Sequence, residues 1–194
     1  MIVDMFTNSC YITSNATLAE KLKSVSLNIM SNIEIDGDYR NGKTTFFKYK
    51  RLPEDSFREL HEYILKETRK YISEMGAIPE DNMRVDKSWL SLMNKNGNHS
   101  LHTHSGASIM SGSFYIDIND NHAPITFVRP DWTSDTLKML KLKEYNTYTS
   151  QSYVVPPKKG QLILFKSNMP HEVDINNEDG RLVASFNITH WKDD

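Results

Sequence analysis

The hydrophobic pattern of this chain changes its period near Trp89, and that change restricts the folds open to it. Before Trp89, apolar side chains recur every three or four residues, which is typical of amphipathic helices. After it, short runs rich in β-branched and aromatic residues alternate with turn residues, which predicts strands. Helices followed by strands favour an α+β fold, here a mainly antiparallel sandwich or barrel that carries helices on one side.

Two helices and seven strands are predicted. The first helix covers 16–30, with Ser14 or Asn15 as its N-cap. The second begins with Pro53 as its first helical residue and ends at Gly76. Strands are expected over 89–93, 108–116, 125–128, 153–155, 161–165, 172–175 and 181–189.

The connection over 129–152 is long for a compact domain and has an apolar pattern of its own. We therefore expect a partly helical lid. Arg129 and Trp132, near its start, either contact substrate or pack over the mouth of the barrel.

Composition limits the classes of function. The 194 residues contain no internal repeat or low-complexity linker, so we expect a single domain with helical support over about 1–85 and a strand-rich core over about 86–192. The 23 Lys and Arg residues are balanced by 25 Asp and Glu residues, which argues against nucleic-acid binding. No apolar run is long enough to cross a bilayer and the first residues lack a basic leader, so we expect a cytoplasmic protein without membrane association.

Three of the seven histidines lie between residues 99 and 104, and they are the first candidates for a metal site. In a strand, residues two apart point to the same face, so His102 and His104 can converge on one ion while His99 lies out of phase. Because Cys10 is the single cysteine, any metal must be bound by His, Asp or Glu. Two histidines on a half-exposed strand are equally compatible with ordinary polar surface.

The C-terminal region offers further candidates. Polar turn residues around Asn176 separate two strand-like runs, so antiparallel pairing would place His171 opposite Arg181. Alternation along the second run puts Arg181, Val183 and Ser185 on one face with His171, and apolar residues on the other. A cation, a hydroxyl and an imidazole are thus expected together on a strand that is otherwise built for burial.

Arg181 on such a strand requires an anionic partner, because a buried and unpaired guanidinium is costly. A carboxylate that accepts two hydrogen bonds is the best geometric match. It belongs either to a ligand or to Glu172 or Asp174, and in the second case the pair is structural.

With these residues the sequence resembles the iron(II)- and 2-oxoglutarate-dependent oxygenases, in particular a bacterial and phage family of them. The resemblance covers about 89–190, and its blocks keep the order and spacing of that family. The blocks are His-Thr-His at 102–104, Ser-Gly-Ser-Phe-Tyr-Ile at 111–116, Pro-Lys-Lys-Gly-Gln-Leu-Ile-Leu-Phe at 157–165, His-Glu-Val at 171–173, and 181–187.

The resemblance implies a double-stranded β-helix (jelly-roll, cupin-like) with the N-terminal helices packed on the major sheet. It implies that His102 and His171 bind iron and that Arg181 binds the C5 carboxylate of 2-oxoglutarate. Ser185 is expected to assist Arg181, and Tyr115 to reach the cosubstrate as well. Such enzymes decarboxylate 2-oxoglutarate to succinate and usually hydroxylate an unactivated C–H bond.

One position departs from the superfamily pattern. That pattern is His-x-Asp or His-x-Glu followed by a distal His, whereas this chain has His104 at the acidic position. Three histidines still leave open positions on a metal, but they carry one negative charge less. We expect His104 to be the third ligand, because the related family tolerates His-x-His. The alternative is that water or a carboxylate such as Asp117 or Asp174 completes the site.

Three functions remain as hypotheses. The first is an Fe(II)/2-oxoglutarate dioxygenase that acts on a small-molecule or peptide substrate in the cytoplasm of a bacterium or a phage-infected cell. The second is a cupin-type dioxygenase that uses three histidines without 2-oxoglutarate. The third is a jelly-roll binding module without catalysis. The sequence identifies neither the substrate nor the oligomeric state.

Overall fold

The computed structural model describes residues 7–34, 41–104, 106, 108–130 and 139–190. In this part of the chain two helices and ten strands are present, and none of the helices combines the length and hydrophobicity needed to cross a lipid bilayer. The elements are, in chain order, β1 (Cys10–Ser14), α1 (Ala16–Ser31), β2 (Gly42–Thr44), α2 (Glu54–Glu74), β3 (Met83–Met93), β4 (His99–His102), β5 (Met110–Asp117), β6 (Ile125–Val128), β7 (Ser152–Val155), β8 (Gln161–Lys166), β9 (His171–Val173) and β10 (Arg181–His190).

The strands form two antiparallel sheets that pack against each other. The larger sheet has the order β1-β8-β5-β10-β3-β2, and the smaller has the order β4-β9-β6-β7. Apolar side chains from both sheets, among them Ile125, Phe127, Ile163 and Val183, form a core between them. This arrangement is the jelly roll that the resemblance implies.

Both helices pack on the outer face of the larger sheet, as expected, and share one apolar core with it. α1 begins after Asn15, whose side chain accepts a hydrogen bond from the backbone N–H of Leu18 (3.0 Å). α2 follows Pro53, which occupies the N-cap instead of the predicted first helical position. It ends at Glu74, and Gly76 then adopts a positive φ of 82°, which favours glycine.

β10 lies inside the larger sheet and separates two chemical environments. Its apolar side chains at 182, 184, 186 and 188 pack in the core on the helix side. Arg181, Val183 and Ser185 point the other way and line a cavity between the sheets. The predicted sorting of this strand is therefore confirmed.

The predicted hairpin between the last two strands is wrong. β9 pairs with β4 and β6 in the smaller sheet, whereas β10 pairs with β3 and β5 in the larger one. The connection crosses between the sheets and is anchored by the buried Asn176, whose amide donates to the Met93 carbonyl (3.3 Å) and accepts from the Ala123 N–H (2.9 Å). The alternation of apolar and polar residues is the same whether β9 and β10 form a hairpin or are joined by a connection that crosses between the sheets. Only long-range hydrogen bonds such as those of Asn176 distinguish the two arrangements.

Several strand boundaries also differ from the prediction. β3 begins at Met83 instead of residue 89, because a bulge opposite Asn187 and Ile188 interrupts the alternation that starts with Met83 and Val85. β1 and β2, at the two edges of the larger sheet, and β4 in the smaller sheet were not among the predicted strands.

Only part of the expected lid can be compared with the prediction. Residues 131–138, which include Trp132, lie outside the described residues. The described portion over 139–151 contains no α-helix, and the remainder of the predicted, partly helical lid cannot be compared. At the base of the connection, the Arg129 guanidinium donates a hydrogen bond to the Ser150 carbonyl (2.9 Å).

Candidate metal centre

Three histidines converge in the cavity between the sheets. His102 of β4 and His171 of β9 pair directly across the smaller sheet, and their ring centroids are 4.3 Å apart. The His104 ring lies 5.0 Å from that of His102 and 5.1 Å from that of His171. One nitrogen from each ring lies within 4.8 Å of the other two. Donors about 2.1 Å from an ion are at most about 4.2 Å apart, so a small contraction would place all three on one metal ion.

The backbone orients two of these rings. The Nδ1–H of His102 donates to the Ser100 carbonyl (2.7 Å), and the Nδ1–H of His171 donates to the Met169 carbonyl (2.8 Å). A proton held on Nδ1 leaves the lone pair on Nε2 available for a metal. The short segments before each histidine therefore select the tautomer that can bind an ion.

His104 and His99 reach the cavity in ways that strand alternation does not describe. β4 ends at His102, and His104 is held instead by its backbone N–H, which donates to the Ser167 carbonyl (2.8 Å). The expectation that His99 lies out of phase is wrong. The pairing of β4 with β9 is irregular between His99 and His102, and the two rings approach to 4.1 Å.

Burial keeps the cluster uncharged. Burial first, and neighbouring imidazoles second, lower the pKa of His171 to about 3 and that of His104 to about 4. Burial also lowers the pKa of His102, against the effect of its hydrogen bond to Ser100. Neutral imidazole is the form that binds metals, so the group is prepared for an ion at neutral pH.

No carboxylate of the described chain belongs to this group of potential ligands. Asp117, one of the two acidic candidates, forms an ion pair with Lys23 (2.8 Å). The other, Asp174, accepts a hydrogen bond from the Thr126 hydroxyl (3.4 Å). The structure thus favours His104 over either residue as the third donor.

Arg181 lies on the wall of the same cavity and is only 4 % exposed. Its Nε–H donates to the Ala123 carbonyl (2.9 Å), and its guanidinium carbon lies 5.4 Å from the centre of the Tyr115 ring. Among the described residues no carboxylate lies within ion-pair distance of it, so the structural pair with Glu172 or Asp174 is absent. A buried cation without an anion, beside three neutral imidazoles, is a site built for an acidic ligand.

The sequence comparison supports the same conclusion. The profile of the family described as "Putative 2OG-Fe(II) oxygenase" matches residues 87–187, which is more than half of the chain and contains all three histidines and Arg181. The chain belongs to the 2OG-Fe(II) oxygenase family. Its members depend on Fe(II) and 2-oxoglutarate, so this protein is an oxidoreductase. A search among curated protein sequences found no match.

Solved structures of other proteins, two of them prolyl hydroxylases, have the same fold. A prolyl-4-hydroxylase from Pseudomonas putida has a TM-score of 0.65 at 12 % identity, covering 95 % of this chain and 94 % of its own. HygX from Streptomyces hygroscopicus, solved with nickel, 2-oxoglutarate and hygromycin B, has a TM-score of 0.61 at 12 % identity, covering 96 % and 86 %. The viral collagen prolyl hydroxylase of Paramecium Bursaria Chlorella virus-1 has a TM-score of 0.59 at 14 % identity, covering 94 % and 96 %.

Two hydroxyl groups lie with Arg181 in the cavity of this oxygenase. The Tyr115 hydroxyl is fully buried, and no partner meets hydrogen-bond geometry. Burial raises its pKa, against the charge of Arg181, so the phenol stays protonated and available as a donor. The Ser185 hydroxyl lies 3.4 Å from that of Ser113 and faces the same space. Both predicted companions of Arg181 thus line the cavity that it shares with the histidines.

Nine further residues line the cavity and were not predicted as part of the site. β3 contributes three residues at alternate positions, a pattern that the predicted strand over 89–93 contained without indicating which face it presents. The additional lining residues are Trp89, Ser91, Met93, His99, Gly112, Ser113, Ile125, Phe165 and Val173.

The lowered pKa values of His104 and His171 predict a metal affinity that resists acid. With an ordinary pKa near 6.5, each imidazole would be about 90 % protonated at about pH 5.5, and the two together would weaken metal binding about a hundredfold relative to about pH 7.5. We expect a loss of less than about tenfold. Competition titrations of Ni(II) at both pH values measure it, and a hundredfold loss would show that the cluster is not desolvated.

Proposed function

We propose that this oxygenase binds Fe(II) through His102, His104 and His171 and the C5 carboxylate of 2-oxoglutarate through Arg181. The observation that carries the proposal is the buried guanidinium, which has no carboxylate partner in the described chain and shares a cavity with the three histidines. Such a cation is stabilised when a dianionic ligand enters, because a buried charge left unpaired is costly.

The donor set suits Fe(II). Neutral imidazoles bind this ion, and three of them leave positions open on one side for a chelating 2-oxo acid. With His104 in place of a carboxylate, the ion keeps more of its positive charge for the dianionic cosubstrate. When bound, Fe(II) supplies the oxygen activation that couples decarboxylation of 2-oxoglutarate with oxidation of the substrate.

The other cavity residues orient the cosubstrate and exclude water. Tyr115, whose ring lies beside the Arg181 guanidinium, donates a hydrogen bond to the carboxylate held by Arg181, which fixes the ligand relative to the histidines. Ser185 is four residues, or about 13 Å, away along β10 and lines the remainder of the cavity. Phe165 and Val183, both 2 % exposed, form apolar wall around it. The ring of Phe165 lies 4.6 Å from that of His171, so water has little access to this side of the cluster.

We infer that the net reaction is hydroxylation of a small-molecule or peptide substrate. The support is the fold shared with two prolyl hydroxylases and with HygX, which was crystallised with hygromycin B. Because this fold serves several reactions, the substrate class is inferred from these proteins and not from the fold itself.

The direct test is formation of succinate from 2-oxoglutarate by the purified chain. We expect turnover that requires both Fe(II) and oxygen and that stops when a chelator removes the metal. Oxygen uptake without succinate would favour a cupin-type dioxygenase that does not use 2-oxoglutarate. Failure to retain Fe(II), Ni(II) or Zn(II) after reconstitution would favour a binding module.

Two substitutions at His104 test its role as a ligand. His104→Asp restores the superfamily pattern, so we expect it to retain iron and turnover. His104→Leu should lower Fe(II) affinity by at least about tenfold, since changes even beyond the ligands cost tenfold to hundredfold. His99→Gln, a change in the adjacent ring, serves as the control that keeps the ion. Unchanged affinity in His104→Leu would mean that this residue does not bind the metal.

A further inference from the structure

A lysine occupies the cavity-facing side of β3 beyond the metal cluster. Lys87 follows the same alternation as Trp89, Ser91 and Met93, all of which line the cavity. Its pairing partner is Asn187, and the pairing of β3 with β10 stays regular from there to Arg181. The Lys87 ammonium lies 3.1 Å from the centre of the Phe46 ring, so it is directed along this side of the strand.

Lys87 and Arg181 are at opposite ends of the same strand pair. Lys87 faces Asn187 and Arg181 faces Met93, so the two cations are separated by 187 − 181 = 6 residues along β10. At about 3.3 Å per residue this corresponds to about 20 Å, too far for both to bind one 2-oxoglutarate. The histidine cluster lies beside the middle of this span, because Trp89, which pairs with Ser185, lies 6.0 Å from the ring of His104.

No carboxylate of the described residues lies within ion-pair distance of the Lys87 ammonium. The adjacent Asp86, at the bulge of β3, pairs with Lys50 (3.6 Å) and Arg84 (3.5 Å). Burial lowers the pKa of Lys87, and Asp86 opposes this only in part. A half-buried ammonium with its anionic neighbour already engaged is able to accept a negatively charged group.

Aromatic rings connect Lys87 with the metal cluster. Phe46 packs edge-on against Trp89 with centroids 4.9 Å apart, and Trp89 lies 6.0 Å from the ring of His104. Phe47 packs edge-on against Phe46 at 5.0 Å and is 76 % exposed. A continuous aromatic surface therefore runs from the outside of the protein to the side of the histidines opposite Arg181.

We propose that Lys87, Phe46 and Phe47 bind the oxidisable substrate, which carries a carboxylate or phosphate next to an apolar or aromatic portion. The anion pairs with Lys87 and the apolar portion packs on the two phenylalanines, which directs the remainder of the substrate along Trp89 towards His104. This inference rests on the proposed function for the position of the iron, and it assigns substrate recognition to the end of the cavity that 2-oxoglutarate leaves free.

Binding of simple probes tests the proposal without knowledge of the natural substrate. The probes are 3-phenylpropionate, its uncharged amide and phenyl phosphate, titrated calorimetrically into protein that holds Ni(II) and saturating 2-oxoglutarate. We expect the better anion to bind about tenfold more tightly than the amide, as charge-assisted hydrogen bonds allow. The tighter of the two anions identifies the carboxylate or the phosphate as the group recognised.

Variants separate the charge from the aromatic surface. Lys87→Met should reduce the affinity of the anions to that of the amide, whereas Lys87→Arg retains most of it. Lys50→Met is the matched control, since Lys50 is exposed and pairs with Asp86. Phe47→Ser should weaken all three probes alike, because it removes apolar contact and no charge.

Several results would overturn the proposal. They are binding of both anions no tighter than that of the amide, equal effects of Lys87→Met and Lys50→Met, or no measurable binding of any probe. Affinity for 2-oxoglutarate is measured in the same protein and should be unchanged in Lys87→Met. If Arg181→Leu also leaves 2-oxoglutarate affinity unchanged, the proposed function fails while the effect of Lys87 on the probes can still be read.

Discussion

Arg181→Leu should raise the 2-oxoglutarate concentration that gives half-maximal succinate formation by at least about a hundredfold, because removing one partner of a buried charge pair costs about 3–5 kcal/mol. The leucine has no means of pairing with the C5 carboxylate, which would then be desolvated without compensation. Folding should change little, since the substitution removes a buried guanidinium that has no carboxylate partner in the described chain. Initial rates at varied 2-oxoglutarate and a thermal melt of the same sample measure both effects.

Two further variants make this result specific. Arg58→Leu introduces the same substitution at an exposed position of α2 and should leave the 2-oxoglutarate requirement unchanged. Arg181→Lys keeps the charge but loses the two parallel hydrogen bonds of the guanidinium, so an intermediate requirement is expected. If Arg181→Leu and Arg58→Leu have the same half-maximal concentration, Arg181 does not bind the cosubstrate.

Loss of the most buried of the three clustered imidazoles should have the largest effect on metal binding. His171 is 5 % exposed, and its ring is fixed by the Met169 carbonyl and by contact with Phe165. His171→Ala removes one of the three nitrogen donors that lie within 4.8 Å of one another. We expect Fe(II) affinity to fall by more than about a hundredfold, above the range seen for groups that merely orient a ligand, and succinate formation to stop. Metal content after dialysis and anaerobic Fe(II) titration provide the measurement.

His122→Gln is the matched control for that loss. His122 is also 5 % exposed, but it joins two loops by accepting from the Asn119 N–H (3.1 Å) and donating to the Asp179 carbonyl (3.0 Å). Its replacement should leave the iron content per folded chain unchanged. Equal iron loss in the two variants would mean that a general loss of structure, and not the removal of a ligand, explains the result at His171.

Local patterns were sufficient to predict most of the elements that hold the site. The alternation along β10 identified the face that carries Arg181 and Ser185, because one apolar face and one polar face leave a single orientation for a buried strand. The helices were predicted from their caps and apolar stripes, and Asn15 caps the first. Their position on the larger sheet followed from the family resemblance.

Local sequence patterns did not predict which strands pair with each other. His171 and Arg181 share the cavity as predicted, but they arrive on opposite sheets because the connection through Asn176 crosses between them. His99 joins the cluster through an irregular strand pairing, which no two-residue alternation reveals. Lys87 was not predicted to lie in a strand, because the bulge beside it interrupts the alternation of apolar and polar residues.

The central claim is that one ion on three imidazoles and one guanidinium together bind 2-oxoglutarate. An anaerobic titration of the Fe(II)-loaded chain with 2-oxoglutarate, followed by visible absorption, tests it most directly, since a 2-oxo acid that chelates Fe(II) produces a charge-transfer band. We predict a band that saturates at one equivalent of 2-oxoglutarate per chain and that requires a far higher concentration in Arg181→Leu. An iron-loaded chain that develops no such band, or one in which the band is unaffected by Arg181→Leu, would contradict the account.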